Sequence, residues 1–78
     1  MNQIWYHGTS AKHVESILKE GFRIGTWFAR DMLASIKFGG NYIFGVLLDT
    51  DKMGADVDWQ CHTLEIVPKE SIVYLIKI

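Results

Sequence analysis

The stretch that most constrains this chain is "NYIFGVLLD", residues 41–49. Its β-branched, aromatic and aliphatic residues make it the strongest strand signal present, apolar enough to lie inside a sheet. Three further segments read as strands. Residues 3–7, "QIWYH", are rich in β-formers, and "QCHTLEIV" and "SIVYLIKI" close the chain on either side of Pro68. Proline cannot donate to a ladder, so Pro68 marks a break between two strands. "FRIGTWFA" reads as an extended stretch interrupted by Gly25.

Two helices fit between these strands. Ser10 is placed to cap a helix ending near Glu20, in which Ala11, Val14, Ile17 and Leu18 recur at helical spacing. Gly21 is suited to end it in a left-handed conformation, with Phe22 packing back over it. Asp31 can cap a second helix, "MLASIKF", stopped by Gly39-Gly40. Residues 49–59, with four acidic side chains and a glycine, read as an exposed loop. The order β-α-β-α-β-β-β predicts a small α+β domain of mostly antiparallel strands with two short helices, spanning residues 1–78.

Composition bears on function by exclusion. A chain of 78 residues buries only about 60% of its unfolded surface, so it needs bulky core residues. Aromatics at 13% within a hydrophobic content of 49% supply them and argue against disorder. A net charge of −1 without a basic patch argues against an extended nucleic-acid surface and against tight binding to a membrane surface. No apolar stretch reaches the roughly 18 residues that span a bilayer. The single cysteine, Cys61, cannot form an internal disulfide, and no signal-peptide pattern is evident, so the expected location is cytoplasmic. His7, His13, His62 and Cys61 lack the paired spacing of a zinc site.

Chemistry concentrates in two stretches. In His7-Gly8-Thr9-Ser10 a strand runs into a helix N-terminus. Such a turn needs a glycine and a capping hydroxyl for structural reasons alone. It also offers free N–H groups and positive dipole to a ligand, with Gly8 permitting close approach and His7 adding a ring that donates or accepts. In "GTWFARDMLASIKFGG" Trp27 lies beside Phe28, and Phe38 follows eleven residues later, just before two glycines. These rings are core residues or a stacking surface for a planar ligand.

Taken together, "YHGTS", "EGFRI" and "GTWFARD" resemble the ADP-ribosyltransferase fold family, in its diphtheria-toxin and poly(ADP-ribose) polymerase branch. The family pattern has His-Gly-(Thr/Ser), a helix, Gly-Phe/Leu, Gly-x-Tyr-Phe-Ala, and a second Tyr eleven residues after the first. Here Trp27 and Phe38 stand in the two Tyr positions, and the likeness covers most of residues 4–48. The resemblance implies that NAD is bound as substrate. His7 would meet the ribose on the adenosine side, with Thr9 and Ser10 beside it. Gly8 would hold the carboxamide through its backbone, Phe38 would stack on nicotinamide, and Trp27 would wall the pocket. The family's late-strand glutamate falls near Gln60 or His62, and Glu65, the carboxylate of that strand, is the catalytic candidate two or three residues late. Three functions are consistent with this. The chain is a minimal ADP-ribosyltransferase acting on an unnamed acceptor, an inactive relative that binds NAD, ADP-ribose or another nucleotide, or a small interaction module with a protein partner or a second copy of itself.

Overall fold

The computed structural model describes residues 2–78, with the side chain of Phe38 outside the described part. The elements run β1 (Asn2–Thr9), α1 (Ala11–Glu20), β2 (Trp27–Ala29), α2 (Met32–Ser35), β3 (Tyr42–Asp49), β4 (Met53–Val57), β5 (Gln60–Thr63) and β6 (Ile72–Lys77). Single 3₁₀ turns cover Ile36–Phe38, Thr50–Lys52 and Lys69–Ser71. The strands form one sheet in the order β4-β5-β2-β1-β3-β6, with every ladder antiparallel. This is a small α+β domain, and "NYIFGVLLD" is interior, between β1 and β6. None of its described helices is long and apolar enough to cross a membrane.

Residues paired across an antiparallel ladder share a face, so the register sorts the sheet into two sides. Trp5, Phe28, Phe44, Val46, Leu48 and Cys61 fall on one side and are buried. Phe22 and Val67 complete that cluster, with Val14 and Ile17 of α1 packed against it. Phe22 stands at its centre, edge-on to Phe28 at 5.0 Å and to Phe44 at 5.6 Å between ring centroids. Each such ring contributes about 1.5–3 kcal/mol by leaving water, which is how so short a chain secures a core. α1 lies over this side as a peripheral element. Val14 and Ile17 are half-buried, while Ala11 and Leu18 remain exposed, so its inward stripe is narrower than the spacing predicts.

Local signals explain the element boundaries. Gly21 adopts φ +81°, donates its N–H to the Ile17 carbonyl at 2.8 Å, and lies so close to Val67 that a Cβ would strike its carbonyl. Phe22 and Val67 then exchange backbone hydrogen bonds of 2.8 and 3.0 Å. Asp31 caps α2 by accepting the Leu33 N–H at 2.9 Å. Ser10 occupies the cap position of α1, but its side chain makes no capping bond. The helix expected over "MLASIKF" is α-helical only to Ser35 and tightens into the 3₁₀ turn before Gly39-Gly40.

Two expectations are corrected. Within the 49–59 segment, Met53–Val57 is not loop but the edge strand β4, hydrogen-bonded to β5. An edge strand keeps one side in water and tolerates the acidic residues that otherwise read as a loop. The strand expected to run from Gln60 to Val67 ends at Thr63. There the backbone ladder is completed by Thr63 N–H to the Thr26 carbonyl (3.0 Å) and Gly25 N–H to the Thr63 carbonyl (2.9 Å). The Thr63 hydroxyl also accepts the Thr26 N–H at 2.9 Å and donates to the Arg23 carbonyl at 2.7 Å. Beyond this point Leu64-Glu65-Ile66 make no ladder, and pairing with the 21–26 segment resumes at the isolated bridge Phe22↔Val67.

Candidate functional site

His7 lies near the end of β1 on the packed side, opposite Phe44. Its ring contacts Phe22 at 5.5 Å and Phe28 at 5.6 Å. β1 and β2 register at one pair, Tyr6↔Ala29, whereas β1 and β3 pair along eight residues. Where the β2 ladder stops, the imidazole takes over, with Nδ1 2.7 Å from the Trp27 carbonyl oxygen. A carbonyl only accepts, so Nδ1 carries the proton and Nε2 is the acceptor nitrogen. Burial lowers the His7 pKa, the Trp27 hydrogen bond acts against this, and the charge on His13 adds to the lowering. The ring is therefore neutral at neutral pH, with one tautomer selected by a backbone oxygen.

His7 faces a cleft of about 440 Å³ between the end of β1, α1 and the 21–27 segment. Thr9, His13, Phe22, Arg23, Thr26 and Trp27 line it with His7, and Glu20 sits on the same lining. The cleft combines an aromatic wall, an acceptor nitrogen, hydroxyls and two basic side chains. That volume lies within the roughly 300–1,000 Å³ typical of small-molecule sites.

The other sequence candidates fall in different places. Gly8 points to the opposite side of the sheet, where the Ser35 carbonyl lies so close that a Cβ would collide with it. Its lack of a side chain is therefore required by the packing of α2. Ser10 is half-buried and does not line the cleft, and the Phe38 side chain lies outside the described part. Gln60 lines a second cavity of about 480 Å³ with Trp5, Arg30, Asp58 and Cys61. Glu65 lines a third, of about 200 Å³, with Leu48, Lys52, Met53 and Pro68. It sits beyond the end of β5 and not within that strand.

On the face of the sheet opposite His7 and Phe28, Trp27 meets His62. The two are register partners in the β2–β5 ladder, and their rings lie 5.4 Å apart. His62 in turn holds Asp56, with Nδ1 2.7 Å from Oδ2. Three residues that the motif reading did not single out thus belong to these sites: His13, Thr26 and Asp56. The signal for Asp56 was its place six residues before His62 across a tight turn, which became visible only once β4 was known to be a strand. Among the described residues, no cluster of three His, Cys, Asp or Glu side chains could hold a metal ion.

Fold and site together define a small antiparallel α+β domain with an open cleft built around a neutral, tautomer-fixed histidine. No protein-family model and no curated protein matches the chain.

Proposed function

We propose that the chain is a minimal ADP-ribosyltransferase-like protein whose His7 cleft takes NAD as substrate. The observation that carries this reading is the hydrogen bond from His7 Nδ1 to the Trp27 carbonyl. It leaves Nε2 as an acceptor, suited to a ribose hydroxyl, in a cleft shared with Thr9, Arg23 and Trp27. Arg23 supplies positive charge suited to a diphosphate, and Trp27, 42% exposed on the lining, suits a flat heterocycle. The cleft's volume suits the nucleoside and phosphate half of such a molecule. NAD brings a ribose–pyridinium bond whose heterolysis expels neutral nicotinamide. The chain's own residues bind and orient the donor.

A second reading, an inactive relative that binds NAD or ADP-ribose, is favoured by one observation. Glu65 lines a cavity that shares no residue with the His7 cleft.

The test is incubation with NAD and chromatography for free nicotinamide, beside thermal-shift titrations with NAD, ADP-ribose and nicotinamide. NAD and ADP-ribose are expected to raise the melting temperature, because a ligand at 100 times its Kd stabilises the native state by about 2.7 kcal/mol. His7→Ala is expected to abolish that shift. Shift with nicotinamide release supports the transferase, and shift without release supports the inactive binder. No shift at millimolar ligand rejects both.

A further inference from the structure

The two edges of the sheet are built differently. β4, at one edge, is five residues long, and its ladder to β5 shifts register between Ala55 and Val57, so that Asp56 is bulged. Asp51 and Asp58 flank it with further acidic charge. A short strand with a bulge and charges is guarded against pairing with another chain. β6, at the other edge, reads IVYLIK, and Lys77 is its one charged residue. The Lys77 Nζ lies 5.9 Å from the centroid of the Tyr42 ring, over β3 and away from the edge. The register shift between β3 and β6 falls at Gly45/Val46, so Tyr74 to Lys77 run regularly.

The ladder fixes which backbone groups this edge offers. Ile78 donates its N–H to the Asn41 carbonyl at 2.7 Å. Along an antiparallel ladder, pairs that exchange hydrogen bonds alternate with pairs that do not. With Ile43↔Ile76 and Gly45↔Tyr74 in the same unbroken register as Ile78, Ile76 and Tyr74 turn their N–H and C=O groups toward β3. Leu75 and Lys77 turn theirs outward, where the sheet has no further strand among the described residues. Ile76 is 37% and Ile78 60% exposed at this edge, beside the half-buried Tyr74.

We propose that β6 pairs antiparallel with β6 of a second copy of the chain, about a two-fold axis at Ile76. The inference is independent of the NAD reading. The occupant is a second copy because the edge complements itself. In this register Leu75 lies opposite Lys77 of the second copy, and Lys77 opposite its Leu75. Each of these pairs exchanges both N–H and C=O, which satisfies the outward groups of both residues. Ile76 meets its own copy on the axis, and Tyr74 meets Ile78 of the second copy, so the facing side chains on that side are apolar. Each lysine faces a leucine and not the other lysine, so no like charges stand directly opposite. The pairing joins two six-stranded sheets into one. A single strand pair is a small interface, so the dimer is weak and concentration-dependent.

The experiment combines sedimentation up to about 1 mM protein, amide hydrogen exchange, and mild oxidation of Ile76→Cys and Val73→Cys. Wild type is expected to pass from monomer to dimer as concentration rises. The Leu75 and Lys77 amides are expected to slow with that transition, whereas Tyr74 and Ile76 are protected throughout. Across the axis the Cα atoms of residue 76 lie about 4.5 Å apart, within the roughly 4.4–6.8 Å that a disulfide spans, so Ile76→Cys is expected to form a linked dimer. Val73→Cys, 51% exposed in the native chain but outside the pairing, is expected not to link. Ile76→Lys puts like charges on the axis and is expected to raise the dimer dissociation constant about tenfold, with its urea midpoint in dilute solution near that of wild type. A chain that stays monomeric at about 1 mM overturns the proposal. A dimer whose Leu75 and Lys77 amides exchange as fast as in dilute protein, or in which Val73→Cys links as readily as Ile76→Cys, places the contact elsewhere and overturns it as well.

Discussion

His7 shows how one hydrogen bond can set both the chemistry and the pH response of a residue. Its native pKa is depressed chiefly by burial, whereas the unfolded chain titrates near the ordinary 6.5. Below that pH the unfolded state takes up a proton before the native state does, so stability falls with falling pH. The contribution is fully present above about pH 6.5 and is lost progressively below it, toward the lowered native value. Urea midpoints should therefore drop between pH 7.5 and 5.5, and His7→Gln should drop less over that interval. An equal drop in both proteins would place the titration elsewhere. Gly8 makes a complementary case. The Ser35 carbonyl fills the space a Cβ would need. Gly8→Ala should therefore cost about 1–3 kcal/mol in chemical denaturation, the usual cost of overpacking. A variant of wild-type stability would mean that α2 can shift away without loss.

At the scale of elements, the sheet is held together at its turns by side chains as much as by ladders. Thr63 is buried and its hydroxyl ties β5 to the 23–26 segment through Thr26 and Arg23. Thr63→Val keeps the shape and removes both bonds, so it should cost about 1–2 kcal/mol with an unchanged m-value, whereas Thr63→Ser should cost less. A valine variant as stable as wild type would show that the hydroxyl is dispensable. The same residue explains what could be read in advance. β3, the Asp31 cap and the stop at Gly39-Gly40 follow from contiguous residues and were legible. The end of β5 was not, because it depends on carbonyls forty residues away. β4 was hidden by Asp56 within it and by the acidic residues on either side, which an edge position permits. His7 and Trp27 were legible as site candidates from their motif. The Asp56–His62 pair was not, since a bulge breaks the alternation from which facing side chains are inferred.

For the molecule as a whole, Cys61 reports on the integrity of the packed side. Burial, reinforced by Asp56, pushes its thiol pKa up to about 11. The native thiol should react with a thiol-specific reagent at pH 8 only as fast as the fold opens, and at full rate in denaturant. Rapid labelling of the native protein would show that the packed side opens locally. Because the unfolded thiol ionises nearer 9, stability should also decline as pH rises from about 9 toward 11. The strand order has a further consequence, for the route by which the chain folds. Among the described strands, only β4 and β5 pair across a tight turn. β1 must find β3 across the chain, Thr9 meeting Tyr42 and Asn2 meeting Asp49. Closing loops of that length costs entropy before any contact repays it, so such topologies fold slowly and with few stable halfway states. The walls of the His7 cleft come from β1, α1 and the segment leading into β2, all seated on the Phe22, Phe28 and Phe44 cluster. The cleft's lining runs only from His7 to Trp27, but the aromatic cluster that seats it also needs Phe28 and Phe44, so that stretch alone lacks the support that shapes the cleft. Assembly of the binding site and completion of the fold are one kinetic event, and a ligand of the cleft should slow unfolding without speeding refolding.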